Sequence, residues 1–394
     1  MGNPYRIKSH KRIYRKSHGA MLLRGGAFVV SVLLLFGLGW ALYGPVSRLF
    51  EKITAEKPPE IQDEPPVLDE SVPEQEGVLE AEPEPEPEPA AVGVQKTAYL
   101  PTEVVRDRER LAAALAAVKA QGYDGVMVTI KEKDGTVNYP IAYRKEIDRR
   151  YTAGATFDLA AVAGQIKDAG LVPTAAVYVF EDRKYAAADK TTGVRFAGAT
   201  YLWLDNAPAN GGRSWLNPYS PGAQQYIEKV LADVAAAGYE EILLRSFQFP
   251  VGYSMELMDF GQVEQSKQEQ LRQYGAKLEQ WAKDQGLVLK MALPADSMLG
   301  GDSRGYDGDS SAVAMASVVV EANPSSFGEE FVTPELNLPN PQANTTATVQ
   351  AAAQAAQRKL GDRTMAIMVS GSEVTPAQLE QAGINRYIVF DPVL

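Results

Sequence analysis

Residues 158–180 read DLAAVAGQIKDAGLVPTAAVYVF, and the fold turns on how that stretch is parsed. Asp158–Ala169 carries a helical pattern and stops at Gly170, a residue that suits the left-handed position closing a helix. Leu171–Phe180 follows as an uncharged apolar run, the signature of a strand buried on both faces. The same cadence recurs on either side. Helical patterns over Arg108–Gln121, Ala223–Ala237, Glu264–Gln285, Thr345–Leu360 and Pro376–Ala382 end at Gly122, Gly238, Gly286, Gly361 and Gly383. Each glycine precedes a strand candidate. The remaining candidates are Thr97–Leu100, Gly125–Lys131, Glu241–Phe249, Val288–Leu293, Ala316–Glu321, Met365–Ser370 and Tyr387–Phe390.

Alternating helices and apolar strands argue for a parallel sheet. Eight strand candidates between Gln95 and Leu394 fit an α/β (β/α)8 TIM-like barrel better than an open doubly wound sheet. No glycine-rich phosphate loop opens any of the helices, which further weakens the open-sheet alternative. Ala322–Asn344 breaks the rhythm and reads as a long irregular loop.

Working outward, the N-terminal quarter has a different character. Residues 1–24 form a basic tail with Arg6, Lys8, Lys11, Arg12, Arg15, Lys16 and Arg24. Gly25–Tyr43 is uncharged and ends on Trp40 and Tyr43. About 20 apolar residues cross a bilayer core of roughly 30 Å, and interfacial aromatics suit the far end. Residues 25–44 are therefore expected to be a single-pass membrane anchor, with the N-terminus cytoplasmic and the C-terminal domain outside. The run exceeds the usual apolar core of a signal peptide and lacks a small-residue cleavage site. Residues 45–94 form an acidic linker rich in Pro and Glu, ending EPEPEPEPAA, which cannot bury enough apolar surface to fold. At about 3.1 Å per residue it can hold residues 95–394 up to roughly 100 Å from the membrane.

Composition excludes several chemistries. The chain has a net charge of -11, no cysteine and two histidines, His10 and His18, both in the basic tail. The globular part therefore has no Ser-His-Asp or Cys-His triad, no His- or Cys-built zinc site and no disulfide framework. The basic charge is confined to the tail, so no nucleic-acid footprint is expected on the domain. No cofactor is expected. Asp302, Asp307 and Asp309 sit in an acidic glycine-rich loop whose spacing departs from an EF-hand, so it reads as a solvated turn and no metal is expected.

In a barrel the working residues lie at the C-terminal strand ends. Those ends carry Lys131, Glu132 and Asp134; Glu181 and Asp182; Arg245 and Gln248; then Asp296, Glu321, Glu373 and Asp391. Tyr178, Trp203, Trp215, Tyr219 and Phe247 accompany them. Carboxylates with aromatic faces, without His or Cys, suit carbohydrate chemistry, in which paired carboxyl groups serve as acid, base or nucleophile.

Four ordered segments carry a family resemblance: VMVTIKEKDGTVNYP from Val126, VYVFEDRKYAAAD from Val177, SWLNPYSPGAQQYIEKV from Ser214 and GYEEILLRSFQFP from Gly238. Together they resemble the bacterial putative glycosyl hydrolase domain family, over most of Thr97–Leu394. The resemblance implies an extracytoplasmic TIM barrel related to polysaccharide-processing enzymes. Lys131 and Asp182 match the family pattern. Arg245 stands where the family usually has Asp, Ala176 replaces an Arg, and Glu321 in VEANPSS occupies an otherwise apolar slot.

Two readings follow. In the first, a surface-anchored hydrolase of cell-envelope or environmental polysaccharide uses Asp296 and Glu321 as its catalytic carboxylates. Trp203 or Trp215 then lines the sugar subsite, and Lys131, Asp134, Asp182, Arg245 and Gln248 hold the substrate. In the second, Arg245 marks a silent barrel that binds glycan or acts as a scaffold in the envelope.

Overall fold

A computed structural model describes residues 95–144 and 151–390. The basic tail, the expected anchor and the acidic linker lie outside the described residues, as does Asp391. Among the described residues no helix is long and apolar enough to cross a membrane.

Eight parallel strands close into a barrel: β1 (Lys96–Leu100), β2 (Gly125–Lys131), β3 (Val172–Tyr178), β4 (Glu241–Arg245), β5 (Val288–Pro294), β6 (Ser317–Glu321), β7 (Thr364–Ser370) and β8 (Tyr387–Phe390). Closure is direct, since β1 pairs with β2 on one side and with β8 on the other, Lys96 opposite Tyr387 and Ala98 opposite Val389. That pairing removes the open-sheet alternative. The apolar runs are unbroken because both strand faces are covered; every residue of β2 is buried. One face packs on the helices, and the other meets in the lumen as a separate cluster of Met127, Ala176, Leu243, Ala292, Val319, Ala366, Met368 and Ile388.

Helices α1 (Arg108–Ala120), α2 (Leu159–Asp168), α3 (Pro221–Ala236), α4 (Lys267–Asp284), α5 (Thr345–Leu360) and α6 (Pro376–Gln381) surround the strands. Most begin on a side-chain cap, as where Asp158 accepts from Ala161 N and Ser266 from Glu269 N. β5 is the exception to the alternation. It leads only to the four-residue helix Ala295–Met298, because the following LGGDSRGYDGDSS places Gly300, Asp307 and Gly308 at positive φ. The expected irregular loop Ala322–Asn344 contains a 3-10 turn, Pro324–Phe327, and a short antiparallel ribbon of Phe331–Val332 with Asn337–Leu338.

The lumen is polar at its base and again at its mouth. Near the strand starts, Lys290 and Glu241 form a buried ion pair at 2.6 Å, and Thr174 donates to the same carboxylate oxygen, Oε2, at 2.9 Å. Such a pair is retained only when its charges are mutually satisfied; it closes the bottom of the barrel. The opposite end, where the strands finish, is open to the loops.

Candidate functional site

The mouth is built from the last residues of the strands. Tyr178, Arg245, Glu321 and Phe390 end β3, β4, β6 and the described part of β8, and their side chains meet. The Arg245 guanidinium lies 4.7 Å from the Tyr178 ring centroid and 4.8 Å from that of Phe390. Its Nε and Nη2 both donate to Glu321 Oε1, at 3.0 and 2.7 Å. Phe390 in turn stacks on Tyr99, centroids 4.1 Å apart. Arginine suits this position because its planar fork can stack and donate at once, which an ammonium cannot.

Asp296 joins the cluster from the turn after β5. Its neighbour Pro294 is the register partner of Glu321. Burial pushes the Asp296 carboxyl above the ordinary aspartate range; backbone N–H groups oppose this, and the charges on Asp302 and Glu321 add to it. No cation among the described residues pairs with it. Tyr306, fully covered, feels the charges of both Glu321 and Asp296 and donates its hydroxyl to Gln248 Oε1 at 3.1 Å. Burial pushes the Tyr178 phenol up to about 12, with Arg245 opposing and Glu321, Glu181 and Glu132 adding, so it is a donor at neutral pH. The structure therefore brings together Asp296, Glu321, Arg245 and Gln248. Tyr178 was named among the aromatics of the strand ends; Tyr99, Tyr306 and Phe390 were not visible as partners in the sequence.

Other expected site residues lie elsewhere. Lys131 was expected to hold substrate. A bulge between Thr129 and Lys131 puts Lys131 in register with Val177, which faces outward, so its ammonium enters the barrel wall and not the lumen. There it lies 2.9 Å from Asp182 Oδ2, both side chains wholly covered, donates to Tyr178 O at 2.6 Å and sits over the Tyr226 ring. Asp182, expected beside the substrate, caps the helix Arg183–Ala188 by accepting from Tyr185 N. Asp134 closes its own turn, accepting from Thr136 N and Oγ1 at 2.8 and 2.6 Å.

The two tryptophans do not offer a stacking face. Trp203 is 1% exposed and donates to Ser254 O; Trp215 is 5% exposed and donates to Asp205 Oδ2. Both pin the long β3–α3 connection. Phe247 is buried against Tyr274 of α4. Tyr219 lines a side groove of about 840 Å³ with Phe260, Asn217, Lys190 and Arg195, which none of the mouth acids touches. Glu373 accepts from Ser325 N and Oγ and so ties two loops together. Asp302 is engaged by Arg304, and Asp309 by Lys359 and Ser311; among the described residues no group of three acids is arranged to hold a metal.

One further acid belongs to the mouth. Glu181, just past β3, is buried, and Ser246 Oγ donates to its Oε2 at 3.1 Å. Ser246 has φ 48, a left-handed conformation that a serine adopts at a cost of about 1–3 kcal/mol. This residue also ends β4 at Arg245, whereas the apolar run predicted a strand to Phe249.

Residues 97–368 match a family described as "putative glycosyl hydrolase domain". No curated protein matches. Among solved structures, a hypothetical protein from Ruminiclostridium thermocellum is 21% identical, covering 49% of this chain and 96% of that one, with a TM-score of 0.42. The glycoside hydrolase domain of PelA from Pseudomonas aeruginosa is 15% identical, with coverages of 76% and 96% and a TM-score of 0.40. An exo-β-N-acetylglucosaminidase from Vibrio harveyi is 9% identical, with coverages of 70% and 41% and a TM-score of 0.45. All three scores fall below 0.5, so barrel closure rests on the strand pairing described above.

The Asp296 environment has a measurable consequence. A carboxyl whose folded-state pKa is raised holds more protons than the unfolded chain between its ordinary and raised values, so stability falls as pH rises through that window. Asp296→Asn removes the penalty. Its melting temperature should exceed the parent's at pH 7, with the difference closing below about pH 3, under the ordinary aspartate value. A variant less stable than the parent at pH 7 would contradict the assigned environment.

Proposed function

This chain belongs to the putative glycosyl hydrolase domain family, and we propose that its barrel mouth binds and hydrolyses a polysaccharide, with Asp296 as the acid and Glu321 as the second carboxylate. One observation carries the reading. Two acids at the exits of neighbouring strands share one mouth in different surroundings, Asp296 half-buried with no cation among the described residues beside it and Glu321 fixed by Arg245. A pair of carboxyl groups at one mouth is what glycosidic cleavage uses. Asp296, retaining its proton to higher pH than an ordinary aspartate, donates it to the departing glycosidic oxygen. Glu321 keeps Oε2 unengaged by the described residues while Arg245 holds Oε1, and its charge stabilises the cationic sugar that forms as the bond breaks. Gln248 and Tyr306 stand beside the pair as hydrogen-bonding groups. Arg245 positions Glu321 and is not itself an acid or base, since guanidinium stays protonated.

A second reading is favoured by the same arginine. Arg245 occupies the strand end where the resemblance places an aspartate, and it neutralises the carboxylate it touches. On that reading the barrel holds glycan without cutting it.

Full-length chain incubated with a panel of polysaccharides should release reducing ends. Asp296→Asn and Glu321→Gln should each lower the rate about 100-fold or more, the usual worth of a positioned acid or base. Activity should fall as pH rises and Asp296 loses its proton, with that limb displaced upward from the ordinary aspartate range. Release unaffected by both substitutions removes the site assignment; retention of glycan without any release establishes the silent binder.

The proposal extends to place. Gly25–Tyr43 would anchor the barrel outside the cytoplasmic membrane, with the Pro/Glu linker as spacer and residues 95–394 as the displayed domain. Deleting residues 25–44 should move the chain from the carbonate-washed membrane pellet to the supernatant. Pelleting that persists after the deletion would count against an anchor.

A further inference from the structure

The surroundings of Glu181 speak to what kind of glycan the mouth takes. Two cations converge on one oxygen of this carboxylate: Lys133 Nζ lies 3.5 Å and Arg213 Nη1 3.7 Å from Oε1. Both contacts are ion pairs longer than a close hydrogen bond. The Lys133 and Arg213 side chains are 57% and 43% exposed, while that of Glu181 is 9% exposed. What meets solvent here is therefore positive charge, with its single counter-ion beneath. A second pair repeats the arrangement on the same loops, Arg183 Nη2 and Lys184 Nζ each 3.6 Å from Asp134 Oδ2.

Two further acids nearby are held by neutral donors and keep their charge. Asp205 accepts from Arg213 N and Trp215 Nε1, and Glu132 from Thr102 Oγ1 and Asn138 Nδ2. Asp182 is matched by Lys131 inside the wall. Four carboxylates, Glu181, Asp134, Asp205 and Glu132, balance the four cations, so what marks the patch is placement: Lys133 and Arg213 stand exposed above a covered Glu181. The patch is continuous with the mouth: Ser246, which holds Glu181, follows Arg245 directly, and the Glu181 charge reaches Tyr178.

Resting on the glycan reading of the mouth, we propose that the ligand is an acidic polysaccharide bearing uronate carboxylates, received by Lys133 and Arg213. Glu181 is the internal counter-ion that the incoming carboxylate replaces. Lysine and arginine held about 3.5 Å from a covered carboxylate can turn outward to an arriving one without losing packing. Burial pushes the Glu181 carboxyl up, although Lys133, Ser246 and Arg213 oppose this, so it takes up a proton more readily than an ordinary surface glutamate when its cations turn away.

Binding of oligosaccharides of polygalacturonate, alginate and hyaluronate to the full chain, each compared with its methyl ester, tests this. The esters keep the backbone and remove the charge. At least one acid form should bind about tenfold or more tightly than its ester, the scale of a hydrogen bond to a charged group, and the preference should shrink with salt. Lys133→Gln and Arg213→Gln should each reduce the preference and together abolish it, with unchanged circular dichroism because both side chains are exposed. Glu181→Gln should increase the affinity for the acid form, an effect that a merely structural glutamate would not give. Equal binding of acid and ester, a preference surviving the double substitution, or weaker binding by Glu181→Gln would each overturn the inference while leaving the glycan reading intact. Failure of the chain to bind either form of these glycans or any neutral polysaccharide would overturn both.

Discussion

An arginine held between two aromatic rings, with two of its nitrogens on a single carboxylate oxygen, organises the top of this barrel. Arg245 covers the centre of the lumen where an apolar layer would otherwise continue, and it fixes Glu321 against Tyr178 and Phe390. A stacked guanidinium in reduced dielectric gains from both rings and from the carboxylate, so the arrangement is rigid where substrate-facing groups need rigidity. The charge that Glu321 keeps then acts on its neighbours: it raises Asp296 and Tyr306 and reaches Tyr178. Burial is the main cause of these shifts, and the ion pair's carboxylate adds to each of them. The paired Lys290 and Glu241 close the other end of the lumen, leaving the mouth as its open polar end.

Much of this fold was legible before any coordinates. The glycine after each helix and the uninterrupted apolar strands located all eight barrel strands, and Gly125–Lys131 and Tyr387–Phe390 were bounded as observed. Strand β4 was read too long because Ser246, Phe247, Gln248 and Phe249 continue an apolar alternation; only the positive φ of Ser246 shows that the chain turns away. The missing helix after β5 was written in LGGDSRGYDGDSS, whose glycines and aspartates favour turns over helix.

The site was legible in part, for a definite reason. Strand-end position located Asp296, Glu321, Arg245 and Gln248, because a barrel delivers those ends to one place. It failed for Lys131, since one bulge reverses the facing of the last residue of β2 and sequence periodicity does not register a bulge. Lys131 and Asp182 form a buried pair that joins the β2 and β3 exits to the Tyr226 ring of α3. The tryptophans illustrate a related ambiguity: an indole in a long connection serves equally as a binding face or as a pin, and here the Trp215 N–H is committed within the loop and that of Trp203 to Ser254 of the connection after β4. Glu181 and Tyr306 gained meaning only from partners, Ser246 and Gln248, that are 65 and 58 residues away in sequence.

Central to the account is the action of the Glu321 charge on a half-buried Asp296 at the same mouth. Titration of the carboxyl resonance of Asp296, in chain labelled with carbon-13 at aspartate, examines this without reference to any substrate. The account predicts a midpoint above that of ordinary aspartates and a fall in that midpoint when Glu321→Gln removes the neighbouring charge. A midpoint at or below the ordinary value, or one indifferent to Glu321→Gln, would contradict it.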